Sequence, residues 1–188
     1  MASKELTTEQ QFKDVLSECR TLFINKLHDY NASWRILRPS SLTDQIFIKA
    51  KRIRSLEIKK EALVEEGIRP EFIGIINYSI IGLIQLDLGF TDAVDIQAEE
   101  AVALYDKFSK EALTLMLRKN HDYDEAWREM RVSSYTDFIL TKLQRIKEME
   151  NIGGKTLVSE GIDANYQDIM NYAVFGVIKL DESKKEDR

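Results

Sequence analysis

Proline and glycine are scarce in this chain, with two and eight in 188 residues. An all-β protein of this length would need many turns and would draw on both, so the scarcity points to helices. Cysteine occurs once, at Cys19. An internal disulfide is therefore excluded and a reducing, cytoplasmic setting fits. Cys19 falls on an apolar helical stripe and is expected to be a small buried hydrophobe. No apolar run reaches the ~18–20 uninterrupted residues of a membrane span. The longest, 72–88, is broken by Asn77, Gln85 and Asp87 and is expected to be a buried helix, with no membrane partner. The first residues are polar and acidic, and no secretory leader is expected. Positive charge is not in excess, the formal net charge being −5. Nucleic acid is thus not expected as a partner, since coating phosphates needs a basic face.

Histidine and tryptophan are also rare, two of each, and all four lie in one motif written twice. His28-Asp29-Tyr30-Asn31-Ala32-Ser33-Trp34-Arg35 recurs 93 residues later as His121-Asp122-Tyr123-Asp124-Glu125-Ala126-Trp127-Arg128. The surroundings repeat as well. Arg38-Pro39-Ser40-Ser41 matches Arg131-Val132-Ser133-Ser134, and Lys49 with Arg52 matches Lys142 with Arg145. After one inserted residue, Glu66-Gly67-Ile68 matches Glu160-Gly161-Ile162 and Asn77-Tyr78 matches Asn171-Tyr172.

Each copy reads as three helices. Phe12, Val15, Leu16, Cys19, Leu22, Phe23 and Leu27 form a 3-4-3-4 stripe opened by a Thr7 or Thr8 cap. The stripe ends at the first His-Asp-Tyr, where Asp29 and Asn31 tolerate turn geometry. A second helix is expected from Ser41, capped with Asp44, and to fade by Glu65-Glu66-Gly67. A third runs from Pro70 to Leu88, apolar on most sides. Equivalent helices are expected in the second copy from the stripe Ala101–Met116, from Ser134 with Asp137 to a break at Asn151–Gly154, and over 164–180, before a fraying tail, 181–188. The expected fold is all-α, six helices forming a tandem duplication of a three-helix unit, with repeats at 1–92 and 93–188 joined near 90–95. Packing the third and sixth helices together about a pseudo-twofold axis gives one body. Association of two chains into a homodimer is compatible with this pattern.

The second copy holds more acids. Asp168 lies within an apolar helix, where a carboxylate needs a cationic partner or a metal. Asn171 shares its face. Glu160 lies eight residues earlier, about 12 Å along an axis rising ~1.5 Å per residue. That separation suits an extended ligand such as a nucleotide with metal-bound phosphates better than one directly shared ion. Asp122 is the strongest acid of the motif. Asp122, Glu160 and Asp168 are thus the candidate Mg²⁺ ligands and catalytic groups, since carboxylate oxygens suit Mg²⁺, and Lys142 and Arg145 are candidate phosphate-holding cations. The competing expectations are structural: Asp168 paired to Lys142 or Arg145, Glu160 favouring a helix start, Asp122 capping a turn, and Trp127 and Tyr123 packing in the core. In the first copy Gly74 replaces Asp168, and Asn31 and Ala32 replace Asp124 and Glu125, which marks it as a scaffold or degenerate half-site.

The run Lys119-Asn120-His121-Asp122-Tyr123, then Lys142-x-x-Arg145, then Glu160 and Asp168-Ile169-Met170-Asn171-Tyr172, resembles the nucleotide modification associated domain 1 family. That family's members show K-N-x-D-Y-G, D-K-x-x-R and E-S-x-x-D-T-L-x-D-L-x-N-Y. The chain departs from this pattern where Asp124 or Asn31 replaces the glycine, and where Ala164, beside Asp163, replaces the middle acid. The acidic helical layout is also similar, in architecture, to all-α MazG-like nucleoside-triphosphate pyrophosphatases. The resemblance implies a nucleotide-binding protein of nucleotide metabolism or modification, with Mg²⁺-dependent triphosphate hydrolysis as the enzymatic form. The alternative is a non-catalytic helical interaction module.

Overall fold

A computed structural model describes residues 6–59, 67–153 and 160–186. Six helices follow in order: α1 Thr8–Tyr30, α2 Pro39–Lys59, α3 Arg69–Leu88, α4 Ala98–Tyr123, α5 Val132–Asn151 and α6 Ile162–Glu186. No strand occurs among the described residues. Short 3-10 turns, Ser33–Ile36 and Ala126–Glu129, carry the two tryptophans. The breaks expected at Glu65-Glu66 and Gly154, and Glu66 itself, lie outside the described residues.

The all-round apolar sequence of α3 explains its place. By length and mean hydropathy, 1.4 over its most apolar window, it could cross a membrane, but 72% of that window is buried inside the fold. Phe72, Ile75, Ile76, Ile80 and Ile84 are fully enclosed, each such side chain contributing about 2 kcal/mol. The partner is α6. Small residues let the two helices approach: a Cβ on Gly82 would stand 3.1 Å from the Tyr166 ring, and one on Gly176 would stand 3.1 Å from the Phe72 ring.

That contact is reciprocal, because Gly82 and Gly176 occupy equivalent positions, as do Phe72 and Tyr166. The same holds between α2 and α5. Thr43 donates to Glu150 at 2.7 Å and Thr136 donates to Glu57 at 2.9 Å. Lys147 pairs with Asp44 at 2.9 Å, and Arg54 lies 3.8 Å from Asp137. Each pair joins a residue of one repeat to the equivalent of its partner in the other, the pattern of an isologous contact within one chain. The arrangement is compatible with the expected twofold relation.

The arginines of the repeated motif tie the repeats together at their ends. Arg35, 2% exposed, holds Asp95 just ahead of α4 at 2.8 Å, together with Gln85 and the Gly89 carbonyl. Arg128 reaches Thr8 and Gln11 at the start of α1, both at 2.8 Å, and Glu182 at 3.1 Å. Each arginine therefore anchors the beginning of the other repeat's first helix.

Thr7, one of the two expected threonines, caps α1, accepting from the Gln10 amide. Three other boundaries differ from expectation. The α2 helix begins at Pro39 rather than Ser41, because a proline in the first turn lacks only an N–H that would be unpaired there. The α5 helix likewise starts two residues early, and Asp44 and Asp137 are spent on α5 and α2 instead of capping. The expected fraying tail is helical to Glu186, because Arg69 holds Asp181 at 2.7 Å and Arg128 holds Glu182. Cys19 is enclosed as expected, and burial pushes its thiol up to about 12.

Candidate functional site

In each repeat the first helix ends at the His-Asp-Tyr motif and the chain reverses through residues with positive φ. These are Asn31 (52°) in the first repeat and Asp124 (48°) and Glu125 (61°) in the second. The turn sets the last residues of the first helix beside the third helix, with the second helix closing the other side. In the second repeat, Lys119 of α4 and Lys142 of α5 meet over Asp168 of α6. Each ammonium donates to a different carboxylate oxygen at 2.6 Å. Asp168 is 7% exposed. Burial opposes its ionisation, but the two lysines outweigh burial and hold the carboxyl below its usual range.

The turn of this repeat has its own carboxylate. Glu125 accepts from Trp127 Nε1 at 3.1 Å and Arg128 Nε at 2.8 Å, and also from Asn120 and Thr8. Burial would raise its pKa, and these donors lower it instead. The left-handed backbone at Glu125, strained for a side chain with a Cβ, is held in place by four donors.

The other candidates are dispersed. Asp122 is exposed and meets only the adjacent His121 Nδ1, at 3.3 Å, without capping the turn. Glu160 is exposed, yet near enough to Lys119 to favour its charged form, as Asp168 does. Arg145 is exposed, so the expected cation pair is replaced by Lys119 with Lys142. Asn171 is buried with Oδ1 unpaired. Its counterpart Asn77 accepts from the Tyr105 hydroxyl at 2.7 Å, and the position equivalent to Tyr105 is Phe12, which has no hydroxyl. Among the described residues no three of His, Cys, Asp and Glu form a metal-holding group. Mg²⁺ at Asp168 would have to displace two ammonium groups, so this arrangement does not fit the ion.

The first repeat is built differently. Gly74 stands at the position of Asp168, and Lys49 lies across it, its Cε 2.8 Å from where a Cβ would be. The acid has moved one helical turn earlier, to Glu71, which pairs with Lys49 at 3.2 Å and with Arg52. A cleft of about 540 Å³ opens beside Gly74, lined among others by Lys26, Tyr30, Trp34, Lys49 and Tyr78.

Sequence reasoning missed Lys26 and Lys119, although both sit at one register in the two repeats and could have been found by that recurrence. It missed Glu71, because the acid shifted by a turn breaks the alignment. It counted Glu125 only among the extra acids of the second copy.

The family model for nucleotide modification associated domain 1 matches residues 26–86 and 119–180. Each segment opens on the lysine just described and runs through its third helix. Neither the curated proteins nor the solved structures compared with the chain provide a match. The two matched segments cover well over half of the sequence and coincide with its two repeats, and the chain therefore belongs to the nucleotide modification associated domain 1 family, as a tandem pair of its units.

Proposed function

We propose that the chain is a nucleotide-binding protein in which a lysine pair, one from the first helix of a repeat and one from the second, holds the phosphate. One observation carries this reading. Both repeats carry the same pair: Lys119 and Lys142 meet on Asp168 of the third helix, and Lys26 and Lys49 both line the cleft beside Gly74. Two ammonium groups converging on one point suit a dianion, and in the second repeat a carboxylate already occupies that point. Tyrosines beside each pair supply surface for a base.

Mg²⁺-dependent triphosphate hydrolysis through Asp122, Glu160 and Asp168 is the second reading. The engagement of both Asp168 oxygens opposes it. Calorimetric titration with nucleoside mono- and triphosphates, run beside a phosphate-release assay with Mg²⁺ and added pyrophosphatase, separates the two. Binding without release is the expected result. Release that disappears in Asp168→Asn supports hydrolysis, and no binding by any nucleotide leaves the non-catalytic helical module.

A further inference from the structure

Among the carboxylates that the first repeat lacks are Asp168 and Glu125, replaced by Gly74 and Ala32. In the second repeat those two groups are internal acceptors. Asp168 takes Lys119 and Lys142, and Glu125 takes the indole N–H of Trp127. Removing them does not leave a damaged metal site. It leaves Lys26 and the Trp34 N–H without an acceptor among the described residues and Lys49 with the shifted Glu71. Trp34 is 8% exposed, and its Nε1 has no hydrogen-bond partner. A buried donor left unsatisfied is costly unless a ligand or water meets it. Lys26 has no carboxylate partner among the described residues, and Lys49 divides its charge between Glu71 and the space over Gly74. All three residues line the cleft of about 540 Å³, within the ~300–1,000 Å³ usual for small-molecule sites.

The described lining contains no carboxylate, so the cleft favours an anion and offers a metal no ligand of its own. It also has aromatic walls. Tyr30 is 66% exposed and Tyr78 lies beneath Lys49, whose Nζ is 5.9 Å from the ring centroid. A ligand that suits this lining needs a dianionic group for Lys26 and Lys49 and a flat ring for the tyrosines. Resting on the nucleotide-binding reading above, we infer that the first repeat is the ligand-binding one and takes a nucleoside monophosphate without metal, with phosphate on Lys26 and Lys49 and the base against Tyr30 and Tyr78. The second repeat carries its own anion, Asp168, in the phosphate position.

The test is titration of the full chain with adenosine, guanosine, cytidine, uridine and thymidine 5′-monophosphates in EDTA, with inorganic phosphate as a further arm, read by calorimetry and tryptophan fluorescence. One equivalent per chain is expected, with quenching of the Trp34 emission. Gly74→Asp restores the internal anion. Its side chain displaces only the flexible end of Lys49, so the fold should persist, and affinity should fall by at least about tenfold, or ~1.4 kcal/mol. Lys26→Met, at an exposed position, should do the same and decides the matter if Gly74→Asp proves misfolded by circular dichroism. Binding that survives both substitutions but is lost in Lys142→Met overturns the assignment to the first repeat and leaves nucleotide binding standing. Absence of binding by every monophosphate and triphosphate overturns both. Phosphate binding as tightly as the nucleotides, or binding that needs Mg²⁺, overturns the ligand class.

Discussion

In the second repeat a carboxylate lies between two lysines, and a second carboxylate satisfies the tryptophan. In the first, both carboxylates are missing, the lysines face a cleft and the tryptophan N–H is unpaired. The shared frame is the helix-end turn, the tryptophan on its 3-10 turn and the arginine that reaches the other repeat. The difference lies in who supplies the acceptors. Counting acids favours the second repeat as the site. Counting unsatisfied donors favours the first, and the donor count responds to geometry that an acid count cannot see.

The largest expected effect concerns the ion cluster. Asp168→Ala leaves Lys142, with a side chain 14% exposed, without a partner. It should cost about 2–3 kcal/mol, less than the ~3–5 of a fully buried pair because Lys119 is half exposed. A Tm fall of roughly 5–10 °C follows by calorimetry. Glu71→Ala should cost a similar amount, and a negligible loss there breaks the equivalence of the shifted acid. Since the folded state lowers the Asp168 pKa, its contribution is complete above the unfolded carboxyl value near ~3.9 and is lost as pH falls through the folded value. The stability gap between wild type and Asp168→Ala should therefore be constant near neutrality and close below about pH 4, as denaturation at stepped pH would record.

The next effect tests the relation between the repeats. Gly82→Val and Gly176→Val each push a side chain into a ring of the facing helix, and each should cost about 2 kcal/mol. Equal losses in urea titration sharpen the twofold relation, whereas losses differing by more than about 1 kcal/mol break it. The smallest effect separates the tryptophans. Trp127→Phe removes a donor to Glu125 and should cost about 1 kcal/mol, whereas Trp34→Phe removes an unpaired buried N–H and should be neutral or slightly stabilising. Equal costs would show that Trp34 has an acceptor after all.

Much of the fold was legible because helical periodicity and exact recurrence are local or pairwise properties of the sequence. The stripe Phe12–Leu27, the stop at His-Asp-Tyr and the apolar third helix all appear where expected. The starts at Pro39 and Val132 were misjudged because Ser41 and Ser134 resemble caps, while Asp44 and Asp137 were already committed to cations of the other repeat. Of the site, Asp168 was read as a metal ligand, with an ion pair to Lys142 or Arg145 as the competing expectation, and the pair to Lys142 is the one present. Lys119 was quoted only as part of a motif, and Lys26 not at all, since nothing local shows that the last turn of a first helix lies over the third.

The sequence by itself determined that the chain is helical, that it is one three-helix unit written twice, and that the two copies carry different acids. Those facts follow from residue spacing and from comparison of a chain with itself. Tertiary structure decided what the acids are for. A carboxylate is a metal ligand, a cap or an internal counter-ion according to which donors reach it. Lys119, Lys142, Trp127 and Thr8 lie up to 117 positions along the chain from the carboxylates they serve, and only packing brings them within hydrogen-bonding distance.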